Sequence, residues 1–335
     1  MTIKLPYLVF LGDVQIALFA KTAFGVRDWR PDACAGEWAL PEAKISIRLP
    51  FMTPAVAVAA GAKSLLIGVA PVGGQIQEHW IPALVEALEA GLDIVSGMHA
   101  KLETVEPIRI AAEKHGRALH NVRHNDTKFP VGTGIKRSGK RLLAVGTDCA
   151  LGKKYTTLAL TKAFQDAGYQ ATFRATGQTG IMISGGGIAM DALVADFSAG
   201  AAETLSPAND PGHWDIIEGQ GSLIHPGYAG VSLGLLHGSQ PDALILCHDP
   251  FRTEIDEYPG FIIPPIKEVI DLHLVLARRT NPKAKCVAIA LNTSSVSAEE
   301  GEKICTYYET KYGLPAFDPM RSDLRRIVDA VVSSC

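Results

Sequence analysis

The feature that most constrains this chain is a glycine-bounded loop, Gly146-Thr-Asp-Cys-Ala-Leu-Gly152-Lys153-Lys154. The apolar run RLLAVG before it predicts a buried strand, and the segment YTTLALTKAFQDAG after it predicts a helix. In this context the glycines let consecutive backbone N–H groups turn toward an anion, and the helix adds its free N–H groups and positive dipole end. The sequence therefore predicts a phosphate-binding loop formed by Gly146, Thr147, Asp148, Cys149, Ala150, Leu151, Gly152, Lys153, Lys154 and Tyr155.

This loop departs from that of nucleotide hydrolases in two ways. Five residues separate its glycines, where the usual pattern has four, and Lys154 follows Lys153 where a Ser or Thr ordinarily ligates Mg²⁺. Thr156 and Thr157 come one turn too late to replace that hydroxyl. We therefore expect a diphosphate cradle without a metal ion. Cys149 lies close to a helix N-terminus, where an acyl-cysteine is conceivable, although a buried inert thiol is the favoured interpretation.

Two α/β domains are predicted from the alternation of apolar runs and helical patterns. YLVFLG, SLLIGVA and DIVSGMH predict strands in the first part, with IPALVEALEAGL as a helix between two of them. ATFRAT, WDIIEG, ALILCHD and KCVAIALN predict further strands in the second part. Periodicity lapses around residues 125–140, so we place the domains at 1–132 and 133–335, each with a parallel sheet.

Composition excludes several classes of protein. Hydrophobic residues make up 47% and charged residues 20%, which argues against disorder, and the net charge of −3 without a basic run argues against nucleic acid as a partner. No segment reads as a signal peptide or membrane span. The cysteines have no paired spacing and no zinc pattern accompanies them, so we expect free thiols in a reducing cytoplasm; they are Cys34, Cys149, Cys247, Cys286, Cys305 and Cys335.

Polar side chains gather after the predicted strand WDIIEG, in the loop EGQGSLIHP. This loop carries Glu218, Gln220, Ser222 and His225 within eight positions of one another. Ligands of open α/β sheets lie beyond the carboxyl ends of the strands, and a strand end alone needs only one or two turn residues. We therefore predict a functional role for this loop, with Glu218 and His225 as its titratable groups.

Other strand ends offer further candidates. Arg174 and Gln178 lie in RATGQTG, where a guanidinium beside an amide suits a carboxylate or phosphate. Asp191 and Asp196 fall in IAMDALVADFSAG, which we interpret as one helix with an interior apolar face, so that a carboxylate there must be paired or functional. His99 ends a strand of the first domain. Turn, cap and salt-bridge roles are the structural alternatives for these residues.

Taken together, the motifs GTDCALGKK, RATGQTG, ADFSAGAAE, EGQGSLIHP, LLHGSQPDALILCH and ALNT resemble the DgcN-type D-glutamate N-acetyltransferase family, formerly described as a domain of unknown function. The resemblance implies an α/β fold in which an N-terminal Rossmann-like domain precedes a P-loop NTPase-like, doubly wound domain. It also implies acetyl transfer from acetyl-CoA to a D-amino acid, with no metal ion. The loop is similar to that of dethiobiotin synthetase-like enzymes as well, but Lys154 replaces their Thr.

On this resemblance we assign expected roles to the candidate residues. Glu218 is the first candidate for the base that deprotonates the amine, followed by Asp196 and His225. The backbone N–H groups of 219–221 are the expected oxyanion donors. The expected substrate ligands are Arg174, Gln178, Gln220, Ser222 and His99.

Two other functions remain open at this point. The protein could be an ATP-dependent kinase or ligase of a small carboxylate, with Asp148 or Glu218 recruiting magnesium. It could also be a non-catalytic nucleotide-binding regulator. In each case we expect a small-molecule ligand, neither nucleic acid nor membrane as a partner, and a homo-oligomer, dimeric or higher, as the default for a soluble enzyme.

Overall fold

The computed structural model describes residues 3–71, 73–125 and 127–335. Its strands are β1 (Tyr7–Phe10), β2 (Cys34–Trp38), β3 (Ser64–Ile67), β4 (Asp93–Ser96), β5 (Leu119–Asn121), β6 (Lys140–Gly146), β7 (Ala171–Arg174), β8 (Trp214–Ile217), β9 (Ala243–His248), β10 (Lys285–Leu291) and β11 (Ala316–Phe317). Its α-helices are α1 (Lys21–Trp29), α2 (Pro54–Ala59), α3 (Ile81–Ala90), α4 (Glu106–His115), α5 (Lys153–Asp166), α6 (Gln178–Ser184), α7 (Ser198–Leu205), α8 (Ala229–Ser239), α9 (Ile266–Ala277), α10 (Ala298–Tyr312) and α11 (Arg325–Ser334). Short 3-10 helices span Ala17–Ala20, Pro31–Ala33, Glu78–Trp80, Leu102–Thr104, Met190–Ala192 and Ala195–Phe197.

The chain divides into two compact units. One comprises the described residues up to 125 together with Gln178–Ala189, and the other comprises Thr127–Gly177 and Met190–Cys335. The first unit has a parallel five-stranded sheet in the order β2-β1-β3-β4-β5. This order is that of a doubly wound α/β sheet.

The segment Gln178–Ala189 is an excursion of the chain into the first unit. Its helix α6 is held there by three hydrogen bonds: Tyr7 Oη donates to the Met182 carbonyl over 3.2 Å, Arg30 Nη1 to the Ile183 carbonyl over 2.9 Å, and the Thr22 and Thr179 hydroxyls lie 2.9 Å apart. The motif RATGQTG is therefore split between the two units, with Arg174 in the second and Gln178 in the first.

The second unit has a parallel six-stranded sheet in the order β11-β10-β9-β6-β8-β7. After β6 the chain first adds strands on one side (β7, β8) and then on the other (β9 to β11). The carboxyl end of β6 is consequently the point at which the winding reverses, and such points are preferred ligand sites in open α/β sheets.

The core of the second unit surrounds β6. Phe164 of α5 is completely buried and its ring lies 5.2 Å from that of Trp214. Arg141, also completely buried, is satisfied by carbonyl oxygens, among them those of Ser138 at 3.0 Å and Pro207 at 2.9 Å. Burial lowers the pKa of this guanidinium, and removing its acceptors would leave a buried charge uncompensated. These contacts fix the strand that leads into the loop.

Most sequence-based predictions of secondary structure are confirmed, including RLLAVG in β6, the helix α5 that follows the loop, and the strands β7 to β10. The prediction of one helix through IAMDALVADFSAG is wrong, because Met190–Ala192 and Ala195–Phe197 form separate 3-10 turns before α7 begins. No helix among the described residues is long and apolar enough to cross a membrane, and all six cysteines are free thiols.

Candidate active site at the phosphate loop

The loop between β6 and α5 has the backbone geometry of an anion site. Gly152, the N-cap residue of α5, has a φ of 97°, and Ala150 has a φ of 54°, so the chain passes twice through left-handed conformations. No side chain caps the N-terminus of α5. The first-turn N–H groups therefore keep their capacity to bind an anion, with the helix dipole behind them.

Lys153 lies inside this loop. It is only 7% exposed, and its Nζ donates to the Asp148 carbonyl over 2.6 Å. Burial lowers its pKa. A Cβ at Gly219 would lie 2.9 Å from Lys153 Cδ, so the lysine stem runs against the chain just after Glu218. The cation predicted for the terminal phosphate is thus held within the loop.

Asp148 braces the loop from within. Its carboxylate is completely buried and accepts hydrogen bonds from the Cys149 N–H at 2.6 Å, Arg252 Nη1 at 2.8 Å and the Asp256 N–H at 2.9 Å. Arg252 also donates to the Cys149 carbonyl over 2.9 Å. A buried carboxylate requires such compensation, and both of its oxygens are engaged, which disfavours Asp148 as a recruiter of magnesium.

The hydroxyls after Lys153 do not face the loop. Thr157 Oγ1 donates to the carbonyls of Lys153 and Lys154, each over 3.0 Å, and Cys247 Sγ lies 3.6 Å from Thr156 Oγ1. Lys154 Nζ lies 4.7 Å from the centre of the Tyr155 ring. The position that supplies the magnesium hydroxyl in nucleotide hydrolases is therefore occupied by a cation with no oxygen to offer.

Glu218 lies at the carboxyl end of β8, directly beside the loop-bearing strand β6. It is 4% exposed, and its Oε2 accepts from the N–H groups of Thr176 at 2.9 Å and Gly177 at 3.1 Å. Burial raises the pKa of this carboxyl, and the Thr176 N–H and the charge of Lys154 offset part of that rise. A carboxyl with an elevated pKa next to a cationic loop has the properties of a general base.

The residues that follow Glu218 hold its loop in place. Gln220 Nε2 donates to Thr176 Oγ1 over 3.1 Å, and that hydroxyl donates to the Glu218 carbonyl over 2.8 Å. Ser222 Oγ donates to the Gly146 carbonyl over 2.8 Å. Of the two predicted substrate ligands, Gln220 thus joins the Glu218 loop to the turn after β7, and Ser222 joins it to the phosphate loop.

His225 also points at the phosphate loop. The ring is 2% exposed and lies between Tyr228 and Tyr258, with ring centres 4.4 Å and 4.9 Å away. Its Nδ1 accepts from the N–H groups of Gly227 at 3.0 Å and Tyr228 at 3.2 Å. An acceptor nitrogen carries no proton, so the ring proton resides on Nε2.

Asp148, Cys149 and His225 form a cluster whose ligand atoms all lie within 4.8 Å of one another. The donor set does not suit a metal ion, because coordination through Nε2 would require the proton on Nδ1, where two backbone N–H groups already donate. Because Nε2 already carries the ring proton and Nδ1 already accepts two N–H groups, His225 cannot accept the Cys149 proton either. Burial raises the pKa of Cys149, which disfavours the acyl-cysteine interpretation.

Three predicted residues occupy other settings. Asp196 is exposed in its 3-10 turn, so the expectation of an interior carboxylate is wrong for it. Arg174 is paired with the buried Asp215, with 2.8 Å between Nε and Oδ1, so part of its charge is already compensated. His99 is exposed in the first unit, where its Nε2 lies 2.8 Å from Arg123 Nη1.

His248, at the end of the predicted strand ALILCHD, is a further anchor of the loop. Thr147 Oγ1 lies 3.0 Å from Nδ1 of His248, whose Nε2 lies 3.2 Å from the Tyr308 hydroxyl. Burial lowers the pKa of His248 to about 4. His248 ends β9, the other neighbour of β6, so its position at a strand end brings it beside the loop.

Two parallel α/β units, one with a strand–loop–helix anion site at its central strand, define an α/β protein of the P-loop class. The chain belongs to the DUF1611 family, a domain of unknown function whose Rossmann-like N-terminal domain matches residues 33–125 and whose P-loop domain matches residues 130–328.

Similar proteins are known over nearly the whole length. A protein from Tritonibacter scottomollicae named D-glutamate N-acetyltransferase is 49% identical over 331 residues, which is 99% of each chain. A Pseudoalteromonas protein of the same name is 47% identical over 328 residues, 98% of this chain and 99% of that one. The crystal structure of a DUF1611 family protein from Anabaena variabilis, 31% identical, superposes with a TM-score of 0.86 over 98% of this chain and 99% of that chain.

Proposed function

We propose that this protein is a D-glutamate N-acetyltransferase that uses acetyl-CoA as its donor. The name of the two relatives, at 49% and 47% identity over nearly full length, supports the reaction. The observation that carries the proposal in this chain is the buried carboxyl of Glu218, with its raised pKa, beside a cationic loop that lacks a magnesium hydroxyl. The free thiols support a reducing cytoplasm as the place of action.

In this proposal the phosphate loop binds the diphosphate of coenzyme A and does not cleave it. The N–H groups at the start of α5 and the Lys153 cation offer the favourable electrostatics for a dianionic diphosphate. Lys154 adds a second positive charge without offering an oxygen to a metal ion. Such a loop suits a cosubstrate whose phosphates take no part in the chemistry.

The chemical step requires the loss of two protons from the substrate ammonium, one before and one after attack. Glu218 accepts the first proton from the ammonium, and the free amine attacks the thioester carbonyl, forming a C–N bond. The tetrahedral oxyanion is stabilised by N–H groups of the glycine turn 219–221. It collapses with cleavage of the C–S bond, and the leaving thiolate of coenzyme A takes the second proton from the nitrogen, so that a neutral amide and free coenzyme A result.

Glu218→Gln tests this role with little disturbance of the fold. A glutamine oxygen can still accept from the Thr176 and Gly177 N–H groups, so only the basicity is lost. We expect kcat to fall by about a hundredfold or more, with the Kd of coenzyme A nearly unchanged. Thiol release from acetyl-CoA, measured over a panel of D- and L-amino acids, provides the assay.

The matched control is Asp196→Asn, which removes a carboxylate that is exposed and should leave turnover within about twofold of wild type, as surface substitutions generally do. Wild-type turnover in Glu218→Gln would exclude Glu218 as the base. Thermal stabilisation by ATP only in the presence of Mg²⁺, without thiol release from acetyl-CoA, would favour the kinase or ligase alternative over acetyl transfer.

A further inference from the structure

The Nε2–H group of His225 makes no hydrogen bond to any residue that the structure describes. Asp148 Oδ1 lies 4.0 Å away, which exceeds hydrogen-bonding distance. The residue is 2% exposed, and Nε2 is not among the fully buried polar atoms that lack a partner, so the small exposed part of the ring includes this nitrogen. The group is directed at the loop residues Asp148 and Cys149, since one ligand atom of each of the three residues lies within 4.8 Å of the other two.

The ring cannot turn its other nitrogen toward the loop without a loss. Nδ1 accepts from two backbone N–H groups, those of Gly227 and Tyr228, and a flipped ring would leave both without an acceptor. Tyr228 and Tyr258 restrict the ring on either side. The local backbone therefore fixes both the tautomer and the direction of the N–H bond.

The negative charge of Asp148, next to the Nε2–H donor of His225, is compensated by other groups. Asp148 pairs with Arg252 through Oδ2 at 2.8 Å and accepts the Cys149 N–H through Oδ1 at 2.6 Å. An anion in the loop consequently meets a carboxylate whose field is largely cancelled. A fixed N–H donor at this place, beside the N-terminus of α5 that no side chain caps, matches an oxygen of a phosphate group.

We propose that His225 is a phosphate-binding residue of this loop, acting as a tautomer-locked Nε2–H donor to a phosphate oxygen of the cosubstrate diphosphate. As far as it names coenzyme A, this inference rests on the proposed function. It reassigns His225 from a candidate base to a ligand of the anion, and it leaves Glu218 as the base.

Two substitutions separate the two nitrogens of the ring. His225→Asn places an amide oxygen near the position of Nδ1, where it can still accept from the Gly227 and Tyr228 N–H groups, but it lacks the distal donor. His225→Gln places an N–H donor near the position of Nε2 and lacks the proximal acceptor. Both variants lose the ring between the two tyrosines and should melt below wild type. We expect His225→Asn to bind coenzyme A about tenfold or more weakly than wild type, as loss of a hydrogen bond to a charged group implies. We expect His225→Gln to bind within about threefold of wild type.

Calorimetric titration of both variants and the wild type with coenzyme A, and separately with inorganic pyrophosphate, is the decisive experiment. If wild type binds pyrophosphate but not coenzyme A, the proposed function fails while the pyrophosphate comparison still tests His225. Equal pyrophosphate and coenzyme A affinities in His225→Asn and wild type would overturn the inference. A loss confined to kcat would also overturn it, because it would place the donor on the reacting carbonyl.

The tautomer can be read directly. In long-range ¹H–¹⁵N spectra of histidine-labelled protein, the His225 signals, identified by their absence in His225→Asn, should show an unprotonated Nδ1 and a protonated Nε2, with no change on addition of Zn²⁺. A protonated Nδ1, or a zinc-induced shift, would contradict the assignment.

Discussion

Gly219, the residue directly after Glu218, is where the architecture of the site is most sensitive to a single methyl group. A Cβ built at this position would overlap the carbonyl oxygen of Ala144 in β6 and lie 2.9 Å from Lys153 Cδ. The lysine could yield, but the Ala144 carbonyl belongs to the central strand and cannot move without disturbing the sheet. In Gly219→Ala the Glu218 loop must therefore move away from β6.

The expected cost has two parts. Overpacking against an immobile backbone should destabilise the protein by about 1–3 kcal/mol. A displacement of Glu218 by about 1 Å should lower kcat/KM by about a hundredfold, because a base out of position loses most of its advantage. Thiol release from acetyl-CoA and the midpoint of urea unfolding measure the two effects separately.

Gly230→Ala is the matched control. Gly230 lies exposed in α8 with no heavy atom within 4 Å of its added Cβ, so alanine there should leave turnover unchanged and leave stability unchanged or slightly increased. Wild-type turnover and stability in Gly219→Ala would refute the close approach of β6 to the Glu218 loop. Equal losses of turnover and stability in Gly219→Ala and Gly230→Ala would show that the effect is not specific to the contact of Gly219 with β6.

Two further predictions concern stability. Burial lowers the pKa of His248 and His273 to about 4 from the ordinary value of 6.5. Between these values the unfolded chain binds more protons than the folded one, so stability falls as pH drops from about 6.5 toward 4. The urea midpoint of His273→Gln should therefore change less over that range than that of wild type, and an equal change of midpoint with pH in the two proteins would contradict this. Arg252→Met leaves the buried Asp148 carboxylate without its cation and should cost about 3–5 kcal/mol in the free energy of unfolding. Adding Asp148→Asn to that variant should recover part of the loss, and strict additivity of the two substitutions would contradict the pairing.

The parts of the site that sequence alone predicted are those written in local patterns. The strand–loop–helix around Gly152 and Lys153 needs only an apolar run, two glycines and a helical period, all within one stretch of chain. Glu218 was predicted because a buried strand in a parallel sheet delivers the next polar residue to the edge where ligands bind. Neither inference required knowledge of strand order.

The contacts that tune the site are not local, and the sequence could not predict them. Asp148 meets Arg252, 104 positions away, only because β9 lies next to β6. The N–H groups that hold Glu218 come from Thr176 and Gly177, in the turn after β7 on the far side of β8. Each pairing follows from sheet order, which periodicity does not encode.

The error at Asp196 has a physical cause. Residues five apart on an α-helix point about 140° away from each other, so one helix through this stretch could not have pointed Asp191 and Asp196 to the same side. The chain instead breaks into two short turns that leave both residues exposed. The apolar residues around them suggested a continuous buried face, but Val194 is itself 66% exposed.

The loop is held by bonds within it and by side chains at the end of β9 and just after it. Lys153 is bonded to the Asp148 carbonyl, Asp148 is neutralised by Arg252, and Thr147 is held by His248. Binding to such a loop costs little ordering of the chain, which favours affinity for the diphosphate. Lys154 stands where nucleotide hydrolases have the hydroxyl that ligates magnesium, which fits a loop that binds phosphates without cleaving them. In the function proposed above, the base then comes from the end of the adjacent strand β8, which carries the buried carboxyl of Glu218.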